Sequence, residues 1–169
     1  MADVHTAGSG PAPSSESGTS LREEAPHSPL LGGPGDAAPL RVVVYSDDRL
    51  VREQVRLALG TRVARDLPPV RVVEVATPRA LLQTMDAGGV ALAILDGEAS
   101  PAGGLGMARQ LKDEITRCPP VLVLVARQQD AWLATWSRAE AALPYPLDPV
   151  RLPVVAAELL RAHPADAHA

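Results

Sequence analysis

Phenylalanine is absent from this 169-residue chain, and two tryptophans with two tyrosines complete its aromatic complement. So few rings, without any phosphate-binding loop, argue against a flavodoxin-like small-molecule binder. Lysine is nearly absent too: Lys112 stands alone beside fifteen arginines. With abundant Ala, Val, Pro and Gly, this looks like the coding bias of a GC-rich genome. A lysine replaced by arginine would then mean little, whereas a site with neither cation is a chemical absence. Cys118 is the single cysteine, so neither an intramolecular disulfide nor a cysteine-based metal cluster can form, and the thiol reads as buried or inert. The four histidines (His5, His27, His163 and His168) all lie near the termini. The sequence between them therefore has no histidine base or ligand, and histidine-assisted hydrolases and histidine metal centres fall away. No apolar run approaches the ~20 residues that span a bilayer, and the N-terminus lacks a basic stretch followed by an apolar one. A soluble cytoplasmic protein, not an integral membrane one, is expected.

What is present divides unevenly. Residues 1–40 hold six each of Gly, Pro, Ser and Ala, no aromatic residue and no period that could bury a face; a disordered acidic tail is expected. Five acids against Arg22 give it a net charge of -4, the whole charge of the chain, while residues 41–169 balance at 15 against 15. A neutral domain with no Lys/Arg cluster on any predicted helix is not expected to bind nucleic acid.

From residue 41 the pattern alternates β-branched runs with helical periodicity. Strands are predicted at 41–45, 71–76, 90–95 and 121–125, with a weak fifth at 141–144, and helices at 49–60, 78–86, 104–115, 129–140 and 149–162. The fold class is α/β, a doubly wound five-stranded parallel sheet in one domain over 41–162, followed by a short flexible C-terminus over 163–169. The first helix turns Val51, Val55, Ala58 and Leu59 inward and sets Arg49, Arg52, Glu53 and Arg56 on its outer side. Asp48 is placed to cap it, and Pro78 and Pro149 to open their helices. Residues 60–69 read as an exposed loop.

Chemistry concentrates at two strand ends. The apolar run Val90–Leu95 stops at Asp96, and Arg41–Tyr45 stops at Ser46-Asp47-Asp48. In a parallel sheet both ends open onto one crevice, where paired acids suit a cation or a phosphoryl group. The plainer readings are a turn carboxylate for Asp96 and Asp47, a helix cap for Asp48 and a solvated loop residue for Glu98. Gly103, Gly104 and Gly106 match neither a P-loop nor a dinucleotide fingerprint.

The order of these elements, with Val43-Val44-Tyr45-Ser46-Asp47-Asp48-Arg49-Leu50-Val51-Arg52, Ala93-Ile94-Leu95-Asp96, Gly104-Leu105, Pro120 to Ala126 and Tyr145-Pro146-Leu147-Asp148-Pro149, resembles the receiver domain of bacterial two-component response regulators. It is nearest in character to atypical stand-alone actinobacterial regulators. The resemblance implies a flavodoxin-like, receiver-type (βα)5 fold with Asp96 as phosphoacceptor and Mg²⁺ held by Asp47, Asp96 and the carbonyl of Glu98, the hard cation offsetting the charge of an acyl phosphate. Four positions depart from the family pattern. Ser46 replaces the first acid of the pair, Val125 replaces the hydroxyl residue ending strand four, Ala142 replaces the mobile aromatic, and Tyr145 replaces the lysine ending strand five. That lysine charge would contribute about 4 kcal/mol toward a phosphoryl oxygen at an effective dielectric near 20. A tyrosine hydroxyl offers roughly 1–3 kcal/mol.

The resemblance also implies a cis peptide at Tyr145-Pro146, a buried Trp136, and a partner face on which Trp132 is an anchor. The expected function is that of a non-enzymatic pseudo-receiver, without an output domain, which signals by binding a histidine kinase or a regulated target protein. The alternatives are a working phosphorelay receiver phosphorylated on Asp96 with Mg²⁺, and the small-molecule binder above.

Overall fold

Each apolar run becomes a strand of one parallel sheet in the computed structural model, which describes residues 37–164. Most of the expected acidic tail and of the expected C-terminal extension lies outside the described residues. The chain order is β1 (Leu40–Tyr45), α1 (Arg49–Leu59), β2 (Val70–Val75), α2 (Pro78–Asp86), β3 (Val90–Asp96), α3 (Gly104–Glu114), β4 (Val121–Val125), a 3-10 turn (Gln128–Trp132), α4 (Leu133–Ser137), β5 (Ala141–Pro144) and α5 (Arg151–Ala162). The strands lie in the order β2-β1-β3-β4-β5, every neighbouring pair parallel.

The uninterrupted apolar character of β3 and β4 reflects cover on both sheet faces, and every residue of both strands is buried. On one face Val43, Ala93, Leu95 and Val123 pack with Leu81 and Met85 of α2 and Met107 and Leu111 of α3. On the other, Val42, Val44, Leu92, Ile94 and Leu122 pack with Val55 and Leu59 of α1 and Leu152, Ala156 and Leu160 of α5. At about 1.5–3 kcal/mol for each large aliphatic side chain removed from water, these two layers carry the fold.

Local chemistry sets the helix starts. Asp48 Oδ1 accepts from Leu50 N at 2.7 Å and Thr77 Oγ1 from Ala80 N at 3.2 Å, with Pro78 at the first helical position. Asp148 Oδ1 accepts from Val150 N and Arg151 N, so Pro149 sits in the turn leading into α5, whose regular span begins at Arg151. These backbone bonds hold the Asp148 carboxyl below its usual range. α3 begins differently: a Cβ on Gly104 would stand 2.6 Å from the carbonyl oxygen of Asp96. Glycine there allows the helix to start directly against the end of β3.

The fourth helix departs from the expected 129–140. A 3-10 turn precedes a single stretch of α-helix, which ends at Arg138 in the left-handed region (φ 62°). The cause lies in β5, which must reach β4: Glu140 N donates to Val121 O at 3.0 Å, and the Glu140 carboxylate takes Val121 N and Lys112 Nζ, both at 2.6 Å. This shortening also corrects the expected burial of Trp136. Ala134 and Ser137 face inward, while Trp136 is 52% exposed with the Arg109 guanidinium 5.6 Å from its ring centroid. Among the described residues no helix is long and apolar enough to cross a membrane.

Candidate functional site

Tyr45 is paired in register with Leu95, so the chain leaves β1 and β3 side by side and brings Ser46 against Asp96. Asp96 is 3% exposed. Its Oδ2 accepts from the Ser46 hydroxyl at 2.7 Å and its Oδ1 from the Glu98 amide at 3.0 Å. Ser46, fully buried, also accepts from Asp48 N at 3.0 Å. One hydroxyl thereby ties the phosphoacceptor-like carboxylate to the start of α1.

Asp47 points outward, its Oδ1 accepting from Ser100 N at 3.1 Å, and Tyr45 donates to Ala102 O at 2.6 Å. Both hold the β3–α3 connection over the crevice. That connection contains a cis Ser100-Pro101 bond, and Tyr145-Pro146 is cis as expected. Arg52 does not stay on the outer side of α1. Its Nη1 donates to the carbonyls of Ser46 (2.6 Å) and Asp47 (3.2 Å), and its Nε lies 3.5 Å from Glu74. The first helix needs only a short turn after Asp48, which brings a long side chain four residues on within reach of the loop it left. The spacing was visible in the sequence, but helical periodicity alone assigned Arg52 to solvent.

Val125 is buried at the end of β4 and presents no donor. Ala142 packs its small side chain against the α2/α3 layer. Tyr145 follows β5, its amide donating to Val125 O at 2.9 Å. Its hydroxyl is buried and lies near the Asp96 carboxylate without a hydrogen bond of ordinary geometry. Burial first, and the Asp96 charge second, push this phenol far above its usual range. Tyr45 is shifted the same way by burial, then by Asp47 and Asp96.

Among the described residues no lysine or arginine, Arg127 included, forms an ion pair with Asp96. Lys112 is engaged by Glu140 and the Pro119 carbonyl. No group of three or more His, Cys, Asp or Glu side chains among them could hold a metal ion. Mg²⁺ takes six oxygen ligands in near-octahedral geometry. Here Ser46 contributes a donated proton where a third carboxylate would contribute charge, and both Asp96 oxygens already have protein donors, so the residues present fit the ion poorly. The side chain of Glu98 is exposed, and Trp132, on the 3-10 turn, is 66% exposed.

The strand order, the two helical layers and the acid at the end of β3 define a receiver-type, flavodoxin-like α/β fold. A CheY-like response regulator receiver domain protein from Methanospirillum hungatei JF-1 superposes with a TM-score of 0.61 at 15% identity, covering 74% of this chain and 96% of that one. A chemotaxis response regulator of Vibrio cholerae gives 0.61 at 17%, covering 72% and 99%. No protein-family model matches the chain. An uncharacterized response regulatory protein of Mycobacterium tuberculosis strain H37Rv is 55% identical over 129 residues, covering 76% of this chain and 97% of that protein, and its counterpart in strain CDC 1551 matches equally. The chain belongs to the response regulator family.

Proposed function

We propose that this response regulator works as a pseudo-receiver: a non-enzymatic protein that signals by binding a protein partner, with an Asp96 pocket that does not operate as a phosphorylation switch. The observation that carries this reading is the state of Asp96. It is buried, receives one hydrogen bond on each oxygen from its own chain, and has no cationic partner among the described residues. An incoming phosphoryl group would have to displace the Ser46 hydroxyl, and it would meet Val125 and a neutral phenol where the family supplies a hydroxyl and an ammonium. Mg²⁺ binding at Asp47, Asp96 and the Glu98 carbonyl is correspondingly weak.

The partner is a histidine kinase or a regulated target, and it docks on the face that carries Trp132. Trp136 and Arg109 extend that face onto α3, giving the amphipathic rings and guanidinium typical of interface anchors. In a capture experiment with the full chain as bait, Asp96→Ala retains the proteins bound by wild type and Trp132→Ala loses them. Loss with Asp96→Ala would favour the second reading, a phosphorelay receiver phosphorylated on Asp96 with Mg²⁺, which the preserved placement of Asp96 and Asp47 at neighbouring strand ends supports.

A further inference from the structure

α1 is apolar on two opposite sides. Val55 and Leu59 face the sheet, as a surface helix requires, yet Leu50 and Leu57 stand on the far side at 61% and 65% exposure. At 100° per residue, positions 50, 54 and 57 fall within about 60° of one another, so the leucines and Gln54 form a single stripe. Beside that stripe Gln54, Leu57 and Ala58 meet Leu147 and Pro149 of the β5–α5 connection around a groove of about 320 Å³. A solvated helix face would be polar here.

We infer that this face is a contact between two copies of the chain, with α1 lying antiparallel to its counterpart about a two-fold axis near Gln54. Residues 50 and 57 are centred between 53 and 54, so an axis there sets Leu50 of each copy against Leu57 of the other. Residues 53 and 56, on one flank of the stripe, are centred one residue further on, which sets Glu53 of each copy about 3 Å along the axis from Arg56 of the other, an offset these long side chains span. Within one copy this carboxylate reaches Arg56 only at 3.8 Å. The same surface supplies the projecting leucines and the groove, the anion and the cation, which is the self-complementarity a two-fold contact demands. Neutrality of residues 41–169 removes domain-scale repulsion between copies. The contact does not involve Asp96 and holds whichever reading of that pocket is correct.

Sedimentation of the full chain over a concentration series tests this directly, with a monomer–dimer equilibrium expected. Leu50→Lys with Leu57→Lys touches no core position and raises the dissociation constant on the order of a hundredfold. Glu53→Arg alone and Arg56→Glu alone each weaken self-association about tenfold, and an equal mixture of the two recovers a heterodimer, because every new cation then faces a new anion. Because Arg56 also lies 3.3 Å from Glu74, a thermal melt of that variant accompanies the mixing experiment, and the leucine pair tests the contact independently of it. A chain that stays monomeric throughout, or a dimer indifferent to the leucine substitutions, overturns the assignment. So does failure of two folded charge variants to pair.

Discussion

Two hydroxyls stand beside Asp96 and carry unequal weight. That of Ser46 satisfies a buried carboxylate oxygen and accepts from Asp48 N, so Ser46→Ala strips a charged, buried acceptor and should cost about 1–3 kcal/mol in urea unfolding. That of Tyr145 is buried near Asp96 without a well-aligned bond, so Tyr145→Phe should change stability by less than about 1 kcal/mol. The chain has only two tyrosines, and both phenols are raised above 10.0 in the fold, chiefly by burial. For a group raised on folding, the stabilising contribution is complete below the unfolded value and is lost as pH climbs toward the folded one. The native protein should therefore show less tyrosinate absorption above pH 10 than the unfolded chain, the band should grow on unfolding, and stability should decline with rising pH in that range. At this scale the sequence was legible wherever a residue type alone decides the chemistry. Val125 cannot donate and Tyr145 cannot carry a positive charge, whatever their surroundings. The turning of Arg52 back onto the Ser46 and Asp47 carbonyls was not legible, because it depends on the path of a long side chain and not on helical phase.

Among the elements, the entry to α3 is a tight constraint. A methyl group on Gly104 would meet the Asp96 carbonyl oxygen at 2.6 Å and the carbonyl carbon at 2.8 Å, and neither backbone atom can yield without moving β3. Gly104→Ala should destabilise by about 1–3 kcal/mol or more, read by chemical denaturation, and Gly106→Ala, with open space around its position, should not. The strands were readable because β-branched runs bounded by Gly, Pro and Asp leave few alternatives, and β4 falls on the residues anticipated for it. α1 and α2 were readable through their caps. α4 was not: its expected length placed Trp132 and Trp136 one turn apart on one continuous helix, with Trp136 in the core and Trp132 as an interface anchor. The demand of β5 for pairing with Val121 ends the helix early, and the 3-10 turn before it alters the phase. Tertiary pairing overrode local propensity there, and a tryptophan expected in the core became part of a surface.

For the molecule as a whole, the parallel sheet gathers acids at the carboxyl ends of β1 and β3 while the helices cover both faces. The family keeps the same frame for switching. On the proposed reading the frame is complete and the switch deficient: an aspartate stands at the acceptor position, while Tyr145, Val125 and Ala142 stand where a cation, a hydroxyl and a mobile aromatic would be needed. That reading leaves the surfaces to carry the function, with exposed tryptophans on one side and an outward leucine stripe on another. The sharpest test is to expose the full chain to acetyl phosphate with and without Mg²⁺ and to weigh the intact protein, using wild type and Asp96→Ala in parallel. A closed, self-satisfied pocket predicts no stable adduct in either protein and no effect of Mg²⁺. A lasting phosphoryl adduct that requires Mg²⁺ and appears in wild type alone would contradict it.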